Sequence, residues 1–147
     1  PIAVVDSNYN HDEQVEALQN DFLAYAGTGD KHEVVDVDTS LLSGDDYNAV
    51  VKMTVVMGAG TADMMFCGEE TYKKYKQQEA FLSWKEVLGD DYSKYEEYMT
   101  DDGRLDLEKC PNWEKYNMVY YSPVYAVVMS SSKNLENCIK FLEMMVQ

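Results

Sequence analysis

Short apolar runs alternate with helical patterns through the first half of this chain, and that alternation constrains its fold more than any other feature. Residues 2–6 (I-A-V-V-D) form a continuous apolar run, as expected for a strand buried on both faces. Asn10 stands where it can cap a following helix, with Glu13 three residues on completing a capping box. Val15, Leu18, Phe22 and Leu23 then fall on one helical face, and Gly27-Thr28-Gly29-Asp30 turns the chain. Residues 32–38 (H-E-V-V-D-V-D) read as a second strand. Ser43 is the expected cap of a second helix, whose apolar face would be Tyr47, Val50, Val51, Thr54 and Val55. Gly58-Ala59-Gly60 closes it, residues 62–67 (A-D-M-M-F-C) make a third strand, and Gly68 opens a helix over 69–77. Such a β–α–β–α–β run predicts a mostly parallel sheet with right-handed crossovers.

The second half is less regular. Residues 81–88 (F-L-S-W-K-E-V-L) fit a short strand or a helical turn equally well. Residues 90–100 are acidic and tyrosine-rich, a short helix, and 101–112 a loop. Residues 118–121 and 124–129 are strands broken at Ser122-Pro123, and Ser131 or Ser132 caps a last helix with Leu135, Cys138, Ile139, Leu142, Met145 and Val146 on its apolar face. The fold class expected is α/β, a three-layer sandwich with strand order 2-1-3. With 147 residues, 46% of them apolar, residues 1–147 are expected to form a single domain with one ordinary core.

Charge removes several functions. The formal net charge is −15, from 27 acidic and 12 basic residues. Nucleic-acid binding needs clustered Lys and Arg, and the same charge opposes docking on anionic lipid. No run is long enough to span a bilayer. Cys67, Cys110 and Cys138 match no zinc or redox spacing, and either one disulfide or three free thiols would fit.

No catalytic or metal constellation stands out. His11 and His32, the only histidines, are read as a surface residue and a strand start, without a nucleophile beside either. Asp101-Asp102-Gly103 with Asp106 and Glu108 comes nearest to a calcium loop but misses the EF-hand spacing. Gly58-Ala59-Gly60-Thr61 follows a helix and precedes a strand, the wrong order for a phosphate cradle. Tyr116, Tyr120, Tyr121 and Tyr125 lie close in sequence and would suit either a ring-stacking patch for a sugar or peptide, or sheet-edge packing.

The strand at 124–129, its serine turn Ser130-Ser131-Ser132, Lys133-Asn134 and the helix carrying Phe141-Leu142-Glu143 resemble the end of the first lobe of extracytoplasmic solute-binding proteins. So does Gly58-Ala59-Gly60-Thr61-Ala62-Asp63-Met64-Met65-Phe66, a small-residue turn, an acid and an apolar strand, although the family usually has proline where Ala62 stands. Tyr72-Lys73-Lys74-Tyr75 followed by Phe81-Leu82-Ser83-Trp84 is similar to the family's aromatic helix and its sequel. The family inserts a second lobe between the halves of the first; only residues 89–118 occupy that place here, too few for a lobe with its own core.

The resemblance implies a closing topology with the last strand antiparallel beside the third, and a non-enzymatic extracytoplasmic binding or interaction module, one lobe of a solute-binding protein, for a sugar, peptide or other small polar ligand. The alternative is a structural or protein-interaction ectodomain of a membrane-anchored protein, with no such ligand. In open α/β sheets ligands sit beyond the carboxyl ends of the strands. That places the expected ligand-binding residues at Ser7, Asn8 and Tyr9 after strand one and Gly68 and Glu69 after strand three, with Tyr121 next. No cofactor, metal or catalytic residue is expected. A small-molecule, peptide or protein partner is expected, but no nucleic acid. A monomer is expected, held at the cell surface by a tether outside these residues; the start at Pro1-Ile2, directly on a core strand, suggests the same.

Overall fold

The structure is a computed structural model, and it describes residues 1–7 and 11–147. The expected cap Asn10 lies outside the described residues. Its elements are β1 (Ile2–Val5), α1 (Asp12–Ala26), β2 (Val37–Leu41), α2 (Tyr47–Ala59), β3 (Met64–Cys67), α3 (Glu69–Lys76), β4 (Phe81–Leu82), α4 (Trp84–Leu88), β5 (Leu105–Asp106), α5 (Trp113–Tyr116), β6 (Tyr125–Met129) and α6 (Leu135–Val146). Short 3-10 turns fill 89–94, 96–98 and 107–109.

The sheet is open and mixed, with six strands in the order β2-β1-β3-β6-β4 and β5 also paired to β6. β1 runs parallel to β2 and β3, while β6 is antiparallel to β3. The expected order and the antiparallel last strand are both present. β4 and β5 share the outer edge of β6, with Phe81 opposite Met129 and Asp106 opposite Tyr125. Residues 81–88 are thus both of the things they resembled: a two-residue strand, then a helix capped by the Ser83 hydroxyl on the Lys85 N–H.

Alternate residues of the central strands enter two apolar clusters. Ile2, Val4, Met64, Phe66, Ala126 and Val128 pack with Leu18 and Phe22 of α1, Trp113 of α5, and Phe141 and Leu142 of α6. Ala3, Val5, Met65, Cys67, Val127 and Met129 pack with Met53 and Val56 of α2 and Tyr72 and Tyr75 of α3. Period-two alternation with both sets apolar is why these strands read as unbroken apolar runs.

Residues 84–116 build no lobe of their own. Trp84, Leu88, Leu105, Leu107 and Trp113 join the first cluster, and the Trp84 indole N–H donates to the Ala126 carbonyl at 2.9 Å. The segment expected as a loop over 101–112 therefore supplies an edge strand and part of the core. Of the expected strand at 118–121, the pairing among the described residues is a single bridge between Val119 and Ser7.

Three further expectations are corrected. The second strand starts at Val37 and not at His32, leaving His32 in an exposed turn. Among the described residues β2 pairs on one side only, so its V-D-T-S-L sequence can leave polar residues at the sheet edge, where Val34-Val35 had drawn the apolar reading. Asp46 caps α2, accepting from the Ala49 N–H at 2.8 Å; Ser43 instead donates to the Asp6 carboxylate. Third, α2 buries Ala49, Met53 and Val56, whereas Tyr47, Val50, Val51 and Val55 are exposed. The helix carries two apolar stripes, and periodicity cannot say which one faces the sheet.

At the amino end of β3, Asp63 accepts from the Ser132 hydroxyl at 2.8 Å and from the Asn134 amide at 3.2 Å. This joins the turn before β3 to the turn after β6. Asn134, rather than either serine, is the cap residue of α6.

Candidate functional site

The carboxyl ends of β1 and β3 lie beside the amino end of β6, and here the expected ligand residues can be placed. Ser7 donates its hydroxyl to the Met118 carbonyl at 3.0 Å and lies 3.1 Å from His11 Nε2. Asn8 and Tyr9 lie outside the described residues. Gly68 is the cap residue of α3. Its Cα faces Tyr121 so closely that a Cβ would stand 3.3 Å from the ring.

Tyr121 fills the strand-end crevice. Its hydroxyl donates to the Val5 carbonyl at 2.6 Å and lies 3.5 Å from the Phe66 carbonyl. These are backbone groups at the ends of β1 and β3, where an incoming ligand would find its acceptors. Burial pushes the Tyr121 hydroxyl far above the ordinary tyrosine pKa, so it stays a neutral donor.

Glu69 is engaged as well. Arg104 donates through Nη1 to the Glu69 carboxylate at 2.7 Å and through Nε to Asp102 at 2.9 Å. The guanidinium carbon lies 4.4 Å from the Tyr72 ring centroid and 4.5 Å from that of Tyr125. Only 14% of the arginine side chain is exposed. A planar cation stacked between two aromatic faces and forked onto two carboxylates is the geometry that arginine supplies and lysine does not. The neighbouring Tyr125 hydroxyl, then Arg104, hold the Glu69 carboxyl below its ordinary value. Burial acts to raise the Asp102 pKa, but the Thr100 hydroxyl and Arg104 outweigh it and hold the group at about 2.

This cluster ties α3 to the segment before β5, and Lys73, 3.6 Å from Glu69, and Lys76, 3.5 Å from Asp102, add positive charge beside its two carboxylates. It is a clamp between two parts of the chain. Sequence reasoning missed it, although one signal was available: Arg104 is the only arginine among 147 residues.

The other candidates disperse. Tyr116 is buried and donates to Asp21 at 2.7 Å, Tyr125 is buried against Arg104, and Tyr120 alone of the four is largely exposed. Tyr120 and Tyr121 meet edge to face with ring centroids 6.1 Å apart, but among the described residues Tyr116 and Tyr125 do not join them. In the acidic loop, Asp102 is bound by Thr100 and Arg104, Asp106 accepts from the Glu108 N–H at 3.1 Å, and Glu108 accepts from Ser122 at 2.6 Å. Among the described residues, no group of three or more His, Cys, Asp or Glu is arranged to hold a metal ion. The three cysteines are free and buried, and burial pushes each thiol up to about 12. A groove of about 210 Å³ opens at the opposite, amino edge, lined by Phe22, Leu23, Glu33, Val34, Met64 and Asn137 among others.

No helix is long and apolar enough to cross a membrane among the described residues. No protein-family model, no curated protein and no solved structure matches the chain.

Proposed function

We propose that this chain is a non-enzymatic, extracytoplasmic interaction module, one lobe of the solute-binding-protein kind in a three-layer arrangement, that contacts a protein instead of enclosing a small ligand. One observation carries the choice between the two readings drawn from the sequence. Tyr121 occupies the crevice at the ends of β1 and β3, with its hydroxyl on the Val5 carbonyl and its ring on Gly68. A sugar or amino acid entering there would have to displace a half-buried aromatic side chain and replace its hydrogen bond to the Val5 carbonyl.

An extracytoplasmic setting fits the thiols. With pKa values of about 12 they carry almost no thiolate at neutral pH, so three unpaired cysteines would survive in an oxidising compartment. A tether to the membrane completes the proposal; protease treatment of intact producing cells should remove the domain from the membrane fraction.

A thermal-shift screen against sugars, amino acids and oligopeptides tests the interaction reading. A ligand at a hundred times its Kd stabilises a protein by about 2.7 kcal/mol, which moves Tm by several degrees. The module should show no such shift. A saturable shift that is lost in Glu69→Ala would restore the small-ligand reading.

A further inference from the structure

Helix α2 is apolar on two opposite sides. Ala49, Met53 and Val56 face the sheet. On the outer side lie Tyr47, Val50, Val51, Thr54, Val55 and Gly58, all exposed, with Tyr47 at 81%. At about 100° per residue this outer stripe spans roughly 140°. It contains no charge, in a chain of net charge −15. The one charged residue of the helix, Lys52, projects to its flank, and the Thr54 hydroxyl is turned back onto the Val50 carbonyl at 2.8 Å. A helix that is apolar all round is ordinarily covered on both sides.

The pattern of the stripe identifies its cover. Laid antiparallel against a copy of itself about a two-fold axis between Lys52 and Met53, the stripe maps onto itself. Tyr47 meets Gly58, Val50 meets Val55, and Val51 meets Thr54. The largest residue falls opposite the one without a side chain, and no atom lies within 4 Å of where a Gly58 Cβ would stand, so the notch is open. A two-fold interface requires this self-complementarity, whereas an unrelated partner does not. Antiparallel pairing also sets the two helix dipoles head to tail. Finally, two strongly acidic chains can approach here without opposing carboxylates.

We propose that the outer face of α2 is a self-association surface, through which two copies of this chain pair as an antiparallel α2–α2 dimer. The monomer expected from the sequence would then be one partner in an equilibrium. The contact of one helix pair is smaller than the roughly 800 Å² per partner of a standard interface, so the dimer is weak and concentration-dependent. This deepens the interaction reading, and the two fail separately: a small-ligand hit in the thermal screen leaves the mass of the chain unchanged.

Sedimentation equilibrium of the whole chain from about 10 μM to about 1 mM is the test, at low and high salt because screening should favour the dimer. The weight-average mass should climb from 16.8 kDa towards twice that value, further at high salt. Val51→Glu and Gly58→Leu should each hold it at 16.8 kDa. Gly58→Leu removes the notch while raising helix propensity, so its melting temperature should be unchanged or higher. A mass that stays at 16.8 kDa across the range for the unaltered chain overturns the proposal. So does a rise that Gly58→Leu leaves intact.

Discussion

The Tyr121 ring lies against Gly68 so closely that a Cβ there would stand 3.3 Å from the ring edge and would fit only if the ring gave way by a few tenths of an ångström. The pair closes the crevice at the end of β3, and each half can be tested. Gly68→Ala should cost about 1–2 kcal/mol through overpacking. Tyr121→Phe should cost about 1 kcal/mol by removing the bond to Val5. Urea titration of each variant measures both losses.

Arg104 should tolerate no replacement. Arg104→Lys keeps the charge but loses the fork onto Glu69 and Asp102 and the stacking on Tyr72 and Tyr125. Both Arg104→Lys and Arg104→Ala should lower stability by about 1.5–3 kcal/mol, with Ala the worse, because two carboxylates are left facing each other. An Arg104→Lys variant as stable as the parent would remove the clamp from the account.

Acid should weaken the same cluster. Asp102 is held at about 2 against an ordinary value of 3.8. Its folded pKa is depressed, so its contribution is complete above pH 4 or so and is lost as pH falls towards 2. The carboxylate is about a third exposed, which reduces the effect of the shift through solvent screening to about 1 kcal/mol. Urea midpoints at pH 5 and pH 2.5 should fall by that much more in the parent than in Asp102→Asn.

The orientation of α2 predicts a sharp contrast between neighbours. Met53→Ala should cost about 2–4 kcal/mol, since Met53 is fully buried. Val55→Ala, two residues on, should stay within about 0.5 kcal/mol in dilute solution. A larger loss at Val55 than at Met53 would mean the helix is turned the other way.

The thiols should be inert in the folded chain. Cys67, Cys110 and Cys138 should resist iodoacetamide at pH 8, and all three should react in denaturant.

What the sequence revealed follows from how strongly each element is buried. β1, β3 and β6 are apolar on both faces, so their existence was legible from I-A-V-V, M-M-F-C and Y-A-V-V-M, while the order rested on the β–α–β–α–β run and the antiparallel direction of β6 on the family resemblance. β2 was misplaced because an edge strand need not be apolar, and Val34-Val35 imitated one although Val34 is largely exposed. The face of α2 was misread because both of its stripes are apolar, and the β-branched outer one looked the more core-like. At the candidate site, Gly68, Glu69 and Tyr121 were found by the rule that strand ends carry sites. Their occupation by the chain itself was not legible, because Arg104 reaches Glu69 from 35 positions away along the chain. Sequence periodicity carries no information about such a contact.

The central claim is that the strand ends are closed by the protein's own side chains. Amide correlation spectra of the folded chain, recorded while sugars, amino acids and short peptides are added to millimolar concentration, test it most directly. The account predicts that the amide signals of Asp6, Gly68 and Glu69 stay in place. Saturable movement of Gly68 and Glu69 together, with Tyr121 leaving its position on Val5, would contradict it.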